Sequence, residues 1–131
     1  VEGHPILKSI TSFTPSVPHK EVIKLYERSA VLLLVLHGYK DAEGYMPGKL
    51  FEYLATGLPI LAVGPSKGDA SNLMKEAKAG KMIEALDEES LKNFLTEHFQ
   101  QWKGRIPVSK NSNAGNYSRK GITFQLTELL S

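Results

Sequence analysis

Val31-Leu32-Leu33-Leu34-Val35-Leu36 is an unbroken apolar run that His37-Gly38 brings to an end. A continuous run without polar alternation is what a parallel strand presents when both of its faces are covered. Working outward, Pro59 to Val63 is a second buried strand and Lys81 to Ala85 a short third one. On the N-terminal side, Ser12 to Val17 is weakly apolar and is closed by Pro18, which suits a strand ending in a turn.

Between these segments the period changes. From Lys20 to Ser29, Val22, Ile23, Leu25 and Tyr26 recur at helical spacing among polar residues, predicting an amphipathic helix. Asp41 to Gly48 is polar and glycine-rich, and Lys49 to Thr56 is again helical, with Pro47 near its first turn and Gly57 just past its last. Gly64 to Gly68 reads as a tight loop and Asp69 to Ala79 as a helix that Gly80 caps in the left-handed conformation. Asp87 is the expected N-cap of a helix from Glu88 to Trp102, whose Leu91, Phe94, Leu95, His98 and Phe99 form one stripe. Arg105 to Gly115 is a polar loop, and Tyr117 to Leu130 a final helix. Strands alternating with helices, joined by right-handed crossovers, predict a Rossmann-like three-layer α/β fold with a parallel sheet.

The 131 residues suit one domain with one core, and a hydrophobic share of 41% with 23% charged residues is that of a globular protein. Sixteen Lys and Arg against fourteen Asp and Glu leave a net charge of +2, too small and scattered to indicate nucleic acid or a membrane surface as partner. The absence of cysteine excludes disulfides, thiolate metal sites and a cysteine nucleophile, and fits a reducing cytoplasm. The apolar run from Ala30 to Leu36 is too short to span a bilayer, and the N-terminus lacks the pattern of a signal peptide. Opening on Val1 rather than Met suggests a piece of a longer protein or a processed chain.

In an open α/β sheet ligands bind beyond the C-terminal ends of the strands, where helix N-termini direct free N–H groups into a shared crevice. Three loops reach that end: Pro18 to Glu21, His37 to Gly48, and Gly64 to Asp69. The middle one carries most chemistry. Gly48 allows close backbone approach, the amides that follow open a helix, and Lys49 adds a cation, which together suit a diphosphate. Glu52 follows one turn later on the same face, where its carboxylate is placed to accept from the two hydroxyls of a ribose. The same residues equally suit an ordinary capped helix, with glycine for the turn and Lys49 and Glu52 for solvation.

A Walker A loop needs four residues between its glycines and a hydroxyl after the lysine; here Gly44 and Gly48 enclose three, and Leu50 stands in the hydroxyl position. A receiver domain needs carboxylates at strand ends, and these strands end without them. His4, His19, His37 and His98 show no metal-ligand spacing, and His98 falls on the buried stripe of its helix. His19 and His37 lie in loops that face the expected crevice.

Taken together, Pro18-His19-Lys20-Glu21-Val22-Ile23-Lys24-Leu25-Tyr26, the strand Val31 to Leu36, Gly48-Lys49-Leu50-Phe51-Glu52-Tyr53-Leu54-Ala55, Pro59-Ile60-Leu61-Ala62 and Tyr117-Ser118-Arg119 resemble group 1, or family 4, glycosyltransferases of bacterial polysaccharide pathways. The pieces occur in that family's order, and the resemblance covers nearly the whole chain. It implies the C-terminal, donor-binding domain of a GT-B enzyme of hexosyltransferase type, working without a metal or other cofactor on a nucleotide-diphospho-sugar. By that resemblance Glu52 binds the donor ribose, the amides of Gly48, Lys49 and Leu50 hold the diphosphate, and Val17, Pro18 and His19 lie near the base. His37, Gly44, Tyr45 and Met46 belong to the loop expected beside the sugar. Many members carry a second glutamate eight residues before the ribose-binding one; that position here is Gly44, so the catalytic candidate is the neighbouring Glu43.

The resemblance further implies an acceptor-binding domain upstream, a cytoplasmic location at the inner face of the membrane for the intact protein, and no transfer by this portion alone. A non-catalytic nucleotide- or phosphosugar-binding α/β module is the alternative. With the family's first two strands missing, the strand Val31 to Leu36 is expected to be an open edge, relieved by pairing with Ser12 to Thr14 or by self-association.

Overall fold

The computed structural model describes residues 3–36, 44–108, 110–111 and 113–130. Among these the chain runs α1 (Pro5–Ile10), α2 (His19–Glu27), β1 (Leu32–Val35), α3 (Gly48–Thr56), β2 (Ile60–Val63), α4 (Asp69–Glu76), β3 (Gly80–Ile83), α5 (Glu88–Lys103), a 3₁₀ turn (Ala114–Tyr117) and α6 (Arg119–Leu130). The three strands form one parallel sheet in the order β1-β2-β3, with Leu32 opposite Ile60 and Ile60 opposite Gly80. The architecture is α/β and consistent with a Rossmann-like fold.

One face of this sheet is covered by helices. Leu32, Leu34, Leu36, Ile60 and Ala62 meet Leu50, Tyr53 and Leu54 of α3 and Ala70 and Met74 of α4 in a single cluster, within which Leu50 and Ile60 are fully buried. The other face is covered only in part. Phe94 of α5 packs on Leu61 and Ile83, with Val31 and Leu91 at the margin. Leu33 and Val35 of β1 point to this same side and are each 57% exposed. The expected burial of β1 on both faces therefore fails on one, and the second helical layer of a three-layer fold is incomplete. The reason is lateral: α5 lies over β2 and β3, and no described element extends the layer across β1.

Two further expectations fail on the N-terminal side. Ser12 to Val17 forms no strand, and Ser12 to Thr14 do not pair with β1, which stands at the sheet's edge. Pro15 interrupts the segment and Pro18 ends it, so its donors are too few for a ladder. Residues 5–10 instead form a short helix begun by Pro5, with no buried residue.

Helix ends follow local chemistry. Gly57 closes α3 in the left-handed conformation, φ 70°. At α4 the left-handed residue is Lys78, φ 50°, rather than Gly80: Lys78 N–H donates to the Lys75 carbonyl and Ala79 N–H to that of Met74, a Schellman turn. Gly80 is needed for another reason. It opens β3 at φ 140°, and a Cβ there would lie 2.0 Å from the carbonyl oxygen of Ile60. Asp87 caps α5 as expected, accepting from Ser90 N–H at 3.0 Å. Of the α5 stripe, Leu91, Phe94 and His98 turn inward, while Leu95 and Phe99 face outward.

The C-terminal loop is fastened by Asn111. Its N–H donates to the Gly57 carbonyl at 2.9 Å and its side-chain amide to the Ala77 carbonyl, so one residue satisfies the ends of both α3 and α4. No helix among the described residues is long and apolar enough to cross a membrane.

Candidate functional site

Chain order places two helix N-termini side by side. Short connections join the C-terminal ends of α2 and α3 to the starts of β1 and β2, so both helices begin at the end of the sheet where the strands finish. The two helices pack against each other. Neither has a side-chain cap, Pro18 and Pro47 occupying the N-cap positions. The first carbonyl-bonded amides are Glu21 N–H, donating to Pro18 at 2.8 Å, and Leu50 N–H, donating to Pro47 at 2.9 Å. Among the described residues, the amides without a partner at the start of α3 are thus those of Gly48 and Lys49, whereas Leu50 uses its N–H in the first turn and buries its side chain completely. Lys49 is exposed and makes no ion pair among the described residues.

At Gly48 an added Cβ would meet nothing within 4 Å among the described residues, and none of them requires glycine at this position.

His19, the first residue of α2, and Glu52, in the second turn of α3, are brought together across the seam. His19 Nε2 lies 3.3 Å from Glu52 Oε1, with the two side chains 65% and 38% exposed. Thirty-three residues separate them in the chain, and two elements carry them to the same point. Below them Tyr26 and Tyr53 meet edge to face, with ring centroids 5.1 Å apart at 81°. Burial is the first cause raising the Tyr26 phenol above its ordinary value, and the Glu52 charge the second. For Tyr53 burial again comes first, followed by Tyr26 and then Glu52. Glu52 also borders a cleft of about 230 Å³ between α2 and α3, with Ile23, Glu27, Ala55 and Thr56.

The other expected residues are distributed around this pair. Pro18 is exposed at the α2 N-cap, and Val17 is half-buried beside Leu25 and Arg28 in a separate groove. Met46 packs against the core, while Tyr45 and Gly44 are exposed at the approach to α3. Glu43 and His37 lie outside the described residues. Among the described residues, no group of three or more His, Asp or Glu side chains is placed to hold a metal ion. His98 stacks on Phe94 at 4.1 Å and its Nδ1 lies 3.0 Å from the Phe94 carbonyl, a packed helical histidine.

A larger cavity of about 760 Å³ lies at the opposite end of the sheet, bordered by Pro59, Lys78, Gly80, Lys81, His98 and Lys110. There α3 and α4 present carbonyl ends, and the lysines complement those negative dipole termini. Crevice position and helix polarity both favour the His19–Glu52 end. Sequence reasoning placed His19 and Glu52 individually in the site but not as a bonded pair, because the register of α2 on α3 is set by Tyr26 and Tyr53 rather than by any local motif.

Comparison with models of known protein families, with curated proteins and with solved structures finds no match to this chain.

Proposed function

We propose that this chain binds the nucleotide-diphospho-sugar donor of a GT-B glycosyltransferase. The observation that carries the reading is the convergence of His19 and Glu52 beside the open amides of Gly48 and Lys49. A carboxylate that accepts from a cis-diol, next to a helix N-terminus that attracts anions, matches the two ends of a nucleoside diphosphate. The expected roles are Glu52 on the ribose, Gly48 and Lys49 on the diphosphate, and Pro18 at the start of α2 beside the base.

Mechanistically, these groups act on the leaving group. As the bond from sugar to diphosphate breaks, negative charge grows on the departing oxygen, and the fixed amides of α3 with Lys49 stabilise it more than they stabilise the ground state. Transfer further requires an acceptor held against the donor, which the reading assigns to a facing domain. The catalytic role for Glu43 rests on the resemblance alone.

Titration by NMR with UDP, GDP, ADP and their sugars tests the proposal. Binding is expected to move amide resonances of Gly48, Lys49 and Glu52 in one set, and Glu52→Ala to weaken nucleoside diphosphates more than inorganic pyrophosphate. Equal losses for both ligands would remove Glu52 from the ribose.

A further inference from the structure

We infer that His19 is a positioning residue that holds the Glu52 carboxylate in the orientation needed to accept both hydroxyls of a ribose cis-diol. The inference rests on the reading of this site as a nucleoside diphosphate site, and assigns His19 a role other than contact with the base.

Glu52 is poorly constrained by its own helix. It sits on a helix surface, 38% exposed, with three side-chain torsions and no ion pair to Lys or Arg among the described residues. Such a side chain is mobile, and fixing it on binding a ligand subtracts from affinity. His19 removes part of that freedom beforehand. Its Nε2 is 3.3 Å from Oε1, and because a carboxylate only accepts, Nε2 must carry the hydrogen. His19 is itself fixed more firmly than a loop histidine, being the first helical residue of α2, two turns before Tyr26, whose ring is held against Tyr53.

The stoichiometry of lone pairs then matters. An ionised carboxylate offers about four acceptor positions, of which His19 occupies one. A cis-diol needs two. The imidazole and the diol therefore bind the same carboxylate together, and His19 is not displaced when a ribose arrives.

His19 is 65% exposed, so replacing it removes no core packing. The experiment measures three ligands by calorimetry: whichever of UDP, GDP and ADP binds best, its 2′,3′-dideoxy counterpart, and inorganic pyrophosphate. His19→Ala is expected to weaken the ribonucleotide by about 2- to 10-fold, the cost of ordering one flexible side chain, and to leave the dideoxy nucleotide and pyrophosphate unchanged. His19→Gln, whose amide also donates to a carboxylate, is expected to restore most of the loss. An equal loss for all three ligands, an unchanged ribonucleotide, or no rescue by Gln overturns the positioning role while leaving nucleotide binding established. Failure of the wild-type chain to bind any of the three nucleotides overturns the nucleotide site and this inference with it.

Discussion

The hydroxyl of Tyr53 donates to the backbone carbonyl of Leu33 across 3.3 Å, so a helix side chain satisfies a group that the edge strand would otherwise present to solvent. β1 is thereby partly closed without a fourth strand. Tyr53→Phe is expected to lower stability by about 1 kcal/mol, the net value of one such hydrogen bond, and to increase concentration-dependent association relative to the wild type, read by sedimentation velocity. Unchanged association would show that the Leu33 carbonyl has no part in it. The phenol also carries a pH signature. Its folded value is raised above the ordinary 10.0, chiefly by burial, so its contribution is complete below that pH and is lost as pH rises through the folded value.

Gly48 separates fold from binding. Ala at this position meets no neighbour among the described residues, and the φ of Gly48 is not positive. Gly48→Ala is therefore expected to raise stability by about 0.4–1 kcal/mol through the unfolded chain, while weakening pyrophosphate and nucleoside diphosphates alike. Thermal unfolding and calorimetry on the one variant check both signs.

Gly80→Ala is expected to behave in the opposite way. A Cβ 2.0 Å from the Ile60 oxygen, at φ 140°, cannot be relieved by a side-chain rotation. The loss is expected to exceed about 3 kcal/mol, in the range where a single substitution is diagnostic of backbone strain. Denaturant unfolding of Gly80→Ala measures it, and a small loss would show that β2 and β3 can separate without cost.

Asp87 gives the acid limb of stability a local source. Its carboxyl is held below the ordinary 3.8, first by the Ser90 N–H and then by the Ser90 side chain, with Lys81 adding a smaller lowering effect. A depressed folded value means that the stabilisation is present above the unfolded value and fades as pH falls through the folded one. Asp87→Asn, which keeps the cap without the charge, is expected to flatten the stability profile below about pH 4, whereas Asp87→Ala should lower stability at neutral pH as well. Chemical denaturation across that range distinguishes them.

Much of this architecture was legible in the residues because its punctuation is local. Gly57 past α3, Asp87 before α5 and the apolar runs at Leu32 and Ile60 all act through neighbouring backbone. What escaped depends on distant partners. The Leu33 and Val35 face is apolar in sequence yet exposed because α5 lies over different strands, which no pattern within β1 encodes. Ser12 to Val17 had strand-like residues, but Pro15 within it and Pro18 at its end leave too few donors for a ladder. Gly80 drew attention as a cap, and its true constraint, the backbone of Ile60, lies in another strand. Glu52 and His19 were visible one at a time; their meeting is a tertiary fact.

Helix α2 has no buried residue and rests on α3, which has three. The two halves of the site therefore differ in how firmly they belong to the folded body: Glu52 is mounted on the core, and His19 on a helix able to detach by local opening. A ligand that binds only while the His19–Glu52 pair is intact acts as a clasp, and its binding energy appears as slower exchange of α2 amides ahead of any change in global unfolding. Hydrogen exchange with and without nucleotide should show that protection concentrated in residues 19–27, making occupancy of the site readable as the closing of one helix.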